Sequence, residues 1–168
     1  GDDEQPKTEL EKLPPATQTG ANTAGCLVNG VAFLPKGYIT TGNLVCNYID
    51  GEDFVLSIGE RIIQGSSDIM RDVSFGSQNQ NLHDNVGTTY TLGKNNFDGN
   101  SKYGNYIIYD NNSSSEINYE TNSIVTGEFK ITYHNFNNAI ISGTFWFDAI
   151  NSNGEIVKVR EGRFDMHY

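Results

Sequence analysis

The chain has 168 residues, enough for one domain with a single sizeable core, and it is 36% hydrophobic and 19% charged with a net charge of −10. That charge repels a nucleic-acid backbone or an anionic membrane face from the body of the protein, and no run approaches the about eighteen apolar residues of a membrane-crossing helix. Low charge combined with 18 Gly, 9 Tyr and 9 Phe favours short strands joined by turns over helices.

The opening residues differ in kind from the rest. Asp2, Asp3, Glu4, Glu9 and Glu11 oppose only Lys7 and Lys12, a net of −3, and Pro6, Pro14 and Pro15 interrupt any regular element. "ELEKL" has room for one helical turn, which is not stable in isolation. Residues 1–22 are expected to be an extended acidic tether, resting on their own domain or on a neighbour, and residues 23–168 a single all-β domain.

From Thr23 onward the pattern is that of strands. "TAGCLVNGVAFL" places two apolar runs around Asn29-Gly30, a type I′ hairpin signal, and "NLVCNYIDGEDFVLSIG" repeats the device around Asp50-Gly51. "ERIIQGSSDIMRDV" alone hints at a helix, through Ile62, Ile63, Ile69 and Met70; Gly65 interrupts it, so a short turn at most is expected. "VSFGSQNQNLHDNVG" reads as a long polar rim loop, and "TTYTL", "YGNYIIY" and "EINYET" as further strands. In "GEFKITYH", Phe129, Ile131 and Tyr133 share one face. In "IISGTFWFDA", Ile141, Phe145 and Phe147 face inward, with Ser142, Thr144, Trp146 and Asp148 outward. "GEIVKVREG" and "RFDMHY" read as two more strands, the second with Phe164, Met166 and Tyr168 inward and Arg163, Asp165 and His167 outward. About ten short strands imply an antiparallel two-layer β-sandwich or a flattened, partly open barrel. The alternative is a closed lipocalin-like barrel, for which 36% hydrophobic residues must supply a lumen as well as a core.

"GCLVNGVAFLPKG", "GTTYTLG", "GEFKITYHNFNNAIISGTFWFDA" and "EGRFDMHY", in that order, resemble a family of lipoproteins of unknown function from Bacteroidetes. There a Cys-x-Val-Asn-Gly hairpin opens the domain, Gly-x-x-x-Ile-Thr and Ser-Gly-Thr-Phe-x-Phe strands follow, and Gly-Arg-Phe-Asp closes it. The resemblance spans residues 25–168 and brings no catalytic residues with it. It implies an exported outer-membrane lipoprotein, facing the periplasm or the cell surface. The signal peptide would be cleaved, and an N-terminal lipid would sit where Gly1 stands, ahead of the acidic spacer.

Candidate chemistry is sparse. Cys26 and Cys46 are compatible with a disulfide worth roughly 3 kcal/mol, and also with two buried free thiols, as their apolar mid-strand settings suggest. His134, His167 and Asp165 form a conceivable weak metal cluster. "DNNSSSE" sets Asp110, Asn112, Ser114 and Glu116 at alternate positions, but lacks the turn glycine and distal glutamate of a calcium loop. "NNFDGNS" holds Asn96, Asp98 and Asn100, and for both loops a self-satisfied polar turn is the simpler reading. Asp148, Glu161 and Asp165 offer glycosidase-like carboxylates. No nucleophile elbow, phosphate loop or His-Glu-x-x-His is present, and no cofactor is implied. The aromatics carry more promise. Trp146, with Tyr103, Tyr106, Tyr109 and Phe97, forms either core or an exposed platform for sugar rings or a protein surface. The expected function is a non-enzymatic binding module for a glycan or a protein. A lipocalin-like carrier of an apolar ligand and a carboxylate hydrolase are the alternatives.

Overall fold

The computed structural model describes residues 5–168. One 3-10 turn, Leu10–Lys12, precedes eleven strands: β1 (Thr23–Val28), β2 (Val31–Phe33), β3 (Leu44–Ile49), β4 (Asp53–Gln64), β5 (Ser67–Gln78), β6 (Thr89–Leu92), β7 (Lys102–Asp110), β8 (Ser115–Glu120), β9 (Gly127–Asn135), β10 (Ile140–Ile150) and β11 (Ile156–His167). They form a single antiparallel sheet in the order β2-β1-β11-β10-β8-β7-β5-β4-β3, with β9 on β10 and β6 on β9. The join between β10 and β8 is one residue pair, Ile150 opposite Glu120. There the sheet folds over, and its two halves face each other without closing into a barrel.

Aromatic rings fill the space between the halves. Phe75 of β5 lies 4.6 Å from Phe145, 5.4 Å from Phe129 and 5.8 Å from Phe164, measured between ring centroids. Phe54 of β4 lies 5.9 Å from Phe164. All are almost fully buried and are surrounded by Leu56, Ile58, Ile131, Ile141, Phe147 and Val159. This packed interior and the unclosed sheet replace the alternative of a lipocalin-like cup. Where β2 ends, the chain crosses to the other half: Lys36 N–H donates to Gly59 O, and Arg61 N–H donates to Lys36 O. Gly37 makes that approach possible, because its φ is +76° and a Cβ there would lie 2.3 Å from the Arg61 carbonyl oxygen.

Three expectations are corrected. "ERIIQGSSDIMRDV" is the tip of the long β4–β5 hairpin, with Gln64 opposite Ser67, Ile62 opposite Ile69 and Gly65 at φ +60° in the turn. Cross-strand pairing overrides its apparent helical spacing. The second concerns "GEIVKVREG" and "RFDMHY", which are one strand rather than two. β11 carries a bulge at Arg160–Gly162, where Arg160 and Glu161 oppose one residue on β10 and Glu161 and Gly162 oppose one on β1, and Glu161 takes φ +54°. The bulge switches parity, so Val157 and Val159 point inward before it and Phe164 and Met166 after it. Third, the "VSFGSQ" part of the rim loop belongs to β5, and in the remainder Leu82 is fully buried.

The N-terminal stretch from Leu13 is a strap laid across the outer face of the sheet. Leu13 is buried, a Cβ on Gly25 of β1 would meet Pro14 and Leu13, and Arg163 of β11 donates to Pro14 O at 3.4 Å. Residues Asp2, Asp3 and Glu4 of the acidic run lie outside the described residues.

Candidate functional site

The strap is held by one carboxylate. Asp165 of β11 and Ser142 of β10, directly opposite each other, were both expected in solvent, yet they are 1% and 0% exposed. Asp165 Oδ2 accepts from Thr17 Oγ1 at 2.7 Å, Thr19 N at 3.0 Å, Thr19 Oγ1 at 3.2 Å and Ala21 N at 3.2 Å. Its Oδ1 accepts from Gly20 N and Ser142 Oγ, at 2.8 and 2.7 Å. Consecutive N–H groups wrapped around an anion form a nest, and Gly20 at φ +73° supplies its bend. Burial alone pushes this carboxyl up, but the hydrogen bonds from Thr17, Thr19, Ser142 and Gly20 outweigh it and hold Asp165 well below the usual carboxylate range. Asn22 completes the seam by accepting from His167 N at 2.9 Å.

Next to this sealed patch the same face is open. Two rows of outward side chains cross the strands in register. Thr89 of β6, Lys130 of β9, Thr144 of β10 and Arg163 of β11 form one row. Thr91, Glu128 and Trp146 form the other. Between them lies a depression of about 430 Å³ whose rim includes Ala16 of the strap. Trp146 is half-exposed, and its Nε1 donates to Glu128 Oε2 at 3.3 Å. The Arg160 guanidinium stands 5.0 Å from the indole centroid. It is fixed there by Asp148 Oδ1 at 2.8 Å and the carbonyls of Val159 and Phe147 at 3.0 and 3.3 Å. The β11 bulge sets Arg160 beside the ring, while Arg163 donates to Glu161 Oε2 at 3.3 Å. An indole edge framed by alternating donors and acceptors on a sheet face suits a hydroxyl-rich ring ligand.

The other aromatics are dispersed. Tyr106 is 6% exposed and packs edge-on against Phe33 in the core. Tyr103 and the 86%-exposed Phe97 line a separate, smaller depression of about 270 Å³ with Asn105 and Glu120. Trp146 therefore does not share a platform with them.

The remaining candidates have ordinary partners. Asp110 Oδ1 caps its own turn by accepting from Asn112 N at 2.9 Å, and Glu116 is exposed on β8 opposite Tyr109. Asp98 Oδ1 likewise accepts from Asn100 N at 3.0 Å. His134 and His167 are not brought together around Asp165. His134 shares a 2.8 Å hydrogen bond with Tyr168 Oη, whereas the His167 ring lies over Gly20, where a Cβ would come within 2.4 Å of it. Among the described residues, no group of three or more His, Cys, Asp or Glu is placed to hold a metal ion. Cys26 and Cys46 are free thiols, and burial pushes both up to about 12.

A second titratable cluster was not foreseen. The His134 ring lies 5.2 Å from His83 and 4.8 Å from Tyr48, whose hydroxyl donates to Asp50 Oδ1 at 2.5 Å. Among the described residues, neither His83 Nδ1 nor His134 Nδ1, both buried, has a hydrogen-bond partner. Burial, with His83 adding to it, lowers the His134 pKa against the opposing pull of the Leu82 backbone and Asp50.

A family model described as a domain of unknown function, DUF6252, matches residues 55–166. That range runs from within β4 to near the end of β11, and it includes Glu128, Trp146, Arg160 and Asp165. No curated protein and no solved structure matches the chain.

Proposed function

This chain belongs to the DUF6252 family of domains of unknown function, and we propose that it is a non-enzymatic binding module of the cell envelope that holds a saccharide against Trp146. The observation that carries this reading is the pair of polar rows framing the indole on the open half of the β9–β10–β11 face. Thr89, Thr144, Lys130, Glu128 and Arg163 offer hydroxyl, ammonium, carboxylate and guanidinium groups within one shallow depression, which is the mixture that hydroxyl pairs on a sugar ring require.

The carboxylates that would serve a hydrolase are already engaged, which supports a binding role. Asp148 is paired with Arg160, Glu161 with Arg163, and Asp165 with the strap. The filled interior likewise gives an apolar cargo no chamber. The acidic N-terminal segment and the lipoprotein resemblance of residues 25–168 support an exported protein carried on the outer membrane by an N-terminal lipid.

Trp146 is the only tryptophan in the chain, so intrinsic fluorescence reports this site directly. Titration with a panel of neutral and acidic oligosaccharides is expected to give a saturable change in emission for at least one of them. Trp146→Phe and Thr144→Ala, followed by calorimetry, should weaken the same interaction. A flat panel, with unchanged emission throughout, would remove the saccharide reading and leave a protein as the occupant of this face. Metabolic labelling with a palmitate analogue, followed by membrane fractionation, tests the anchor separately.

A further inference from the structure

Strand β8 has an unpaired edge. It pairs with β7 along its whole length, from Asp110–Ser115 to Asn105–Glu120, but on its other side only Glu120 meets β10. β10 stops at Ile150 and enters a turn that closes on itself, with Asn151 N–H donating to Glu155 O and Gly154 N–H to Asn151 O. Residues 115–119 therefore run past the end of the neighbouring half-sheet. Their outer backbone edge is unpaired among the described residues.

The register sorts the side chains of this overhang. Ile117 opposite Ile108 and Tyr119 opposite Tyr106 continue the core face. Ile117 is nevertheless 47% exposed, because β10 does not extend over it. Glu116, Asn118 and Glu120 occupy the other face. A cleft of about 640 Å³ opens beside the edge, with Glu116, Ile117, Glu120, Ile150 and Glu155 among its walls. Among the described residues, three carboxylates and no cationic side chain line it. Ser115–Glu120 contains neither lysine nor proline, and its pairing with β7 shows no bulge, so what guards this edge against like strands is the negative charge of Glu116 and Glu120.

We infer that this edge accepts an extended peptide as an added strand, one in which apolar residues alternate with lysine or arginine. Backbone groups of β8 supply the ladder, Ile117 receives the apolar side chains on the core face, and Glu116, Glu120 and Glu155 receive the cations on the other side. A second copy of the chain is a poor occupant. Antiparallel pairing of two β8 edges about Asn118 would set Glu116 against Glu120 twice, between molecules that each carry −10. This site is separate from the Trp146 depression and does not depend on the saccharide reading.

The test uses the full chain and two blocked seven-residue peptides, one alternating valine with lysine and one alternating valine with glutamate. Amide hydrogen exchange is expected to slow at residues 115–119 with the lysine peptide, and the glutamate peptide should bind at least about tenfold more weakly. The double variant Glu116→Lys, Glu120→Lys changes exposed positions only; it should keep the unfolding midpoint and reverse the preference between the peptides. The inference is overturned if protection is absent or lies elsewhere, if both peptides bind equally, or if the variant keeps the original preference. Protection of 115–119 that appears with rising protein concentration alone would assign the edge to self-association and overturn it too.

Discussion

Two neighbouring patches of the β10–β11 face have opposite fates. At Ser142 and Asp165 the outward side chains are sealed under the strap; at Thr144, Trp146 and Arg163, the next outward positions, they stand open around a depression. All lie on the same two strands. What separates them is where the strap lies, from Pro14 beside Arg163, past Ala16 at the rim, to Gly20 over His167. One polar position thus becomes a structural anchor while its neighbour is left available to a ligand.

The largest test of this contrast removes the anchor. Asp165→Ala leaves five strap donors and the Ser142 hydroxyl without their acceptor and is expected to cost about 3–5 kcal/mol, measured by urea unfolding at neutral pH. Deleting residues 1–21 should lower stability as well, whereas a loose tether would be lost without effect. Gly20→Ala comes next. It meets both a positive φ and the His167 ring and should cost about 1–3 kcal/mol, read as a lower thermal midpoint.

Acid separates the strap from the His83–His134 cluster. Asp165 is depressed in the fold, so its stabilisation is complete above the ordinary carboxylate value near 4 and fades as pH falls through its folded pKa. His134 is also lowered, so the unfolded chain takes up that proton first. Its stabilisation of the neutral state is present above about pH 6.5 and declines as pH drops below it. Stability measured against pH should therefore fall in two stages, with His134→Gln removing the upper stage and Asp165→Asn the lower. The smallest effect is at the open patch. Trp146→Ala should change stability by less than about 1 kcal/mol while weakening saccharide binding at least about tenfold, a split that calorimetry on the folded variant resolves.

Much of this architecture could be read from residues. Asn29-Gly30 and Asp50-Gly51 do sit in hairpin turns, and the alternation around Phe129, Phe145 and Phe147 identifies the core face. Local pattern misleads where a residue's fate depends on a distant segment. Asp165 looks like any solvated acid on an outward position, because its donors lie 144 to 148 residues away at Thr17 through Ala21. Tyr103 and Tyr106 stand three apart on one strand and so fall on opposite faces, and the packing of the two halves decides that Tyr106 is the one in the core. The β11 bulge hides the continuity of "VKVREGRFDM" by shifting parity in mid-strand. Thr-x-Thr-Gly ahead of the first strand was the one local signal of a carboxylate nest, and it has meaning only once an acid is known to lie beneath it.

The strap also decides how the molecule carries load. Any pull on its N-terminal end reaches the sheet at Glu9, which accepts from Ala32 N, next at Leu13 and Pro14, and then at the donors gathered on Asp165. Because those bonds converge on one carboxylate, they share tension and fail together instead of peeling singly. The seam should behave as a mechanical fuse, giving way in one step before the packed rings between the two halves are strained.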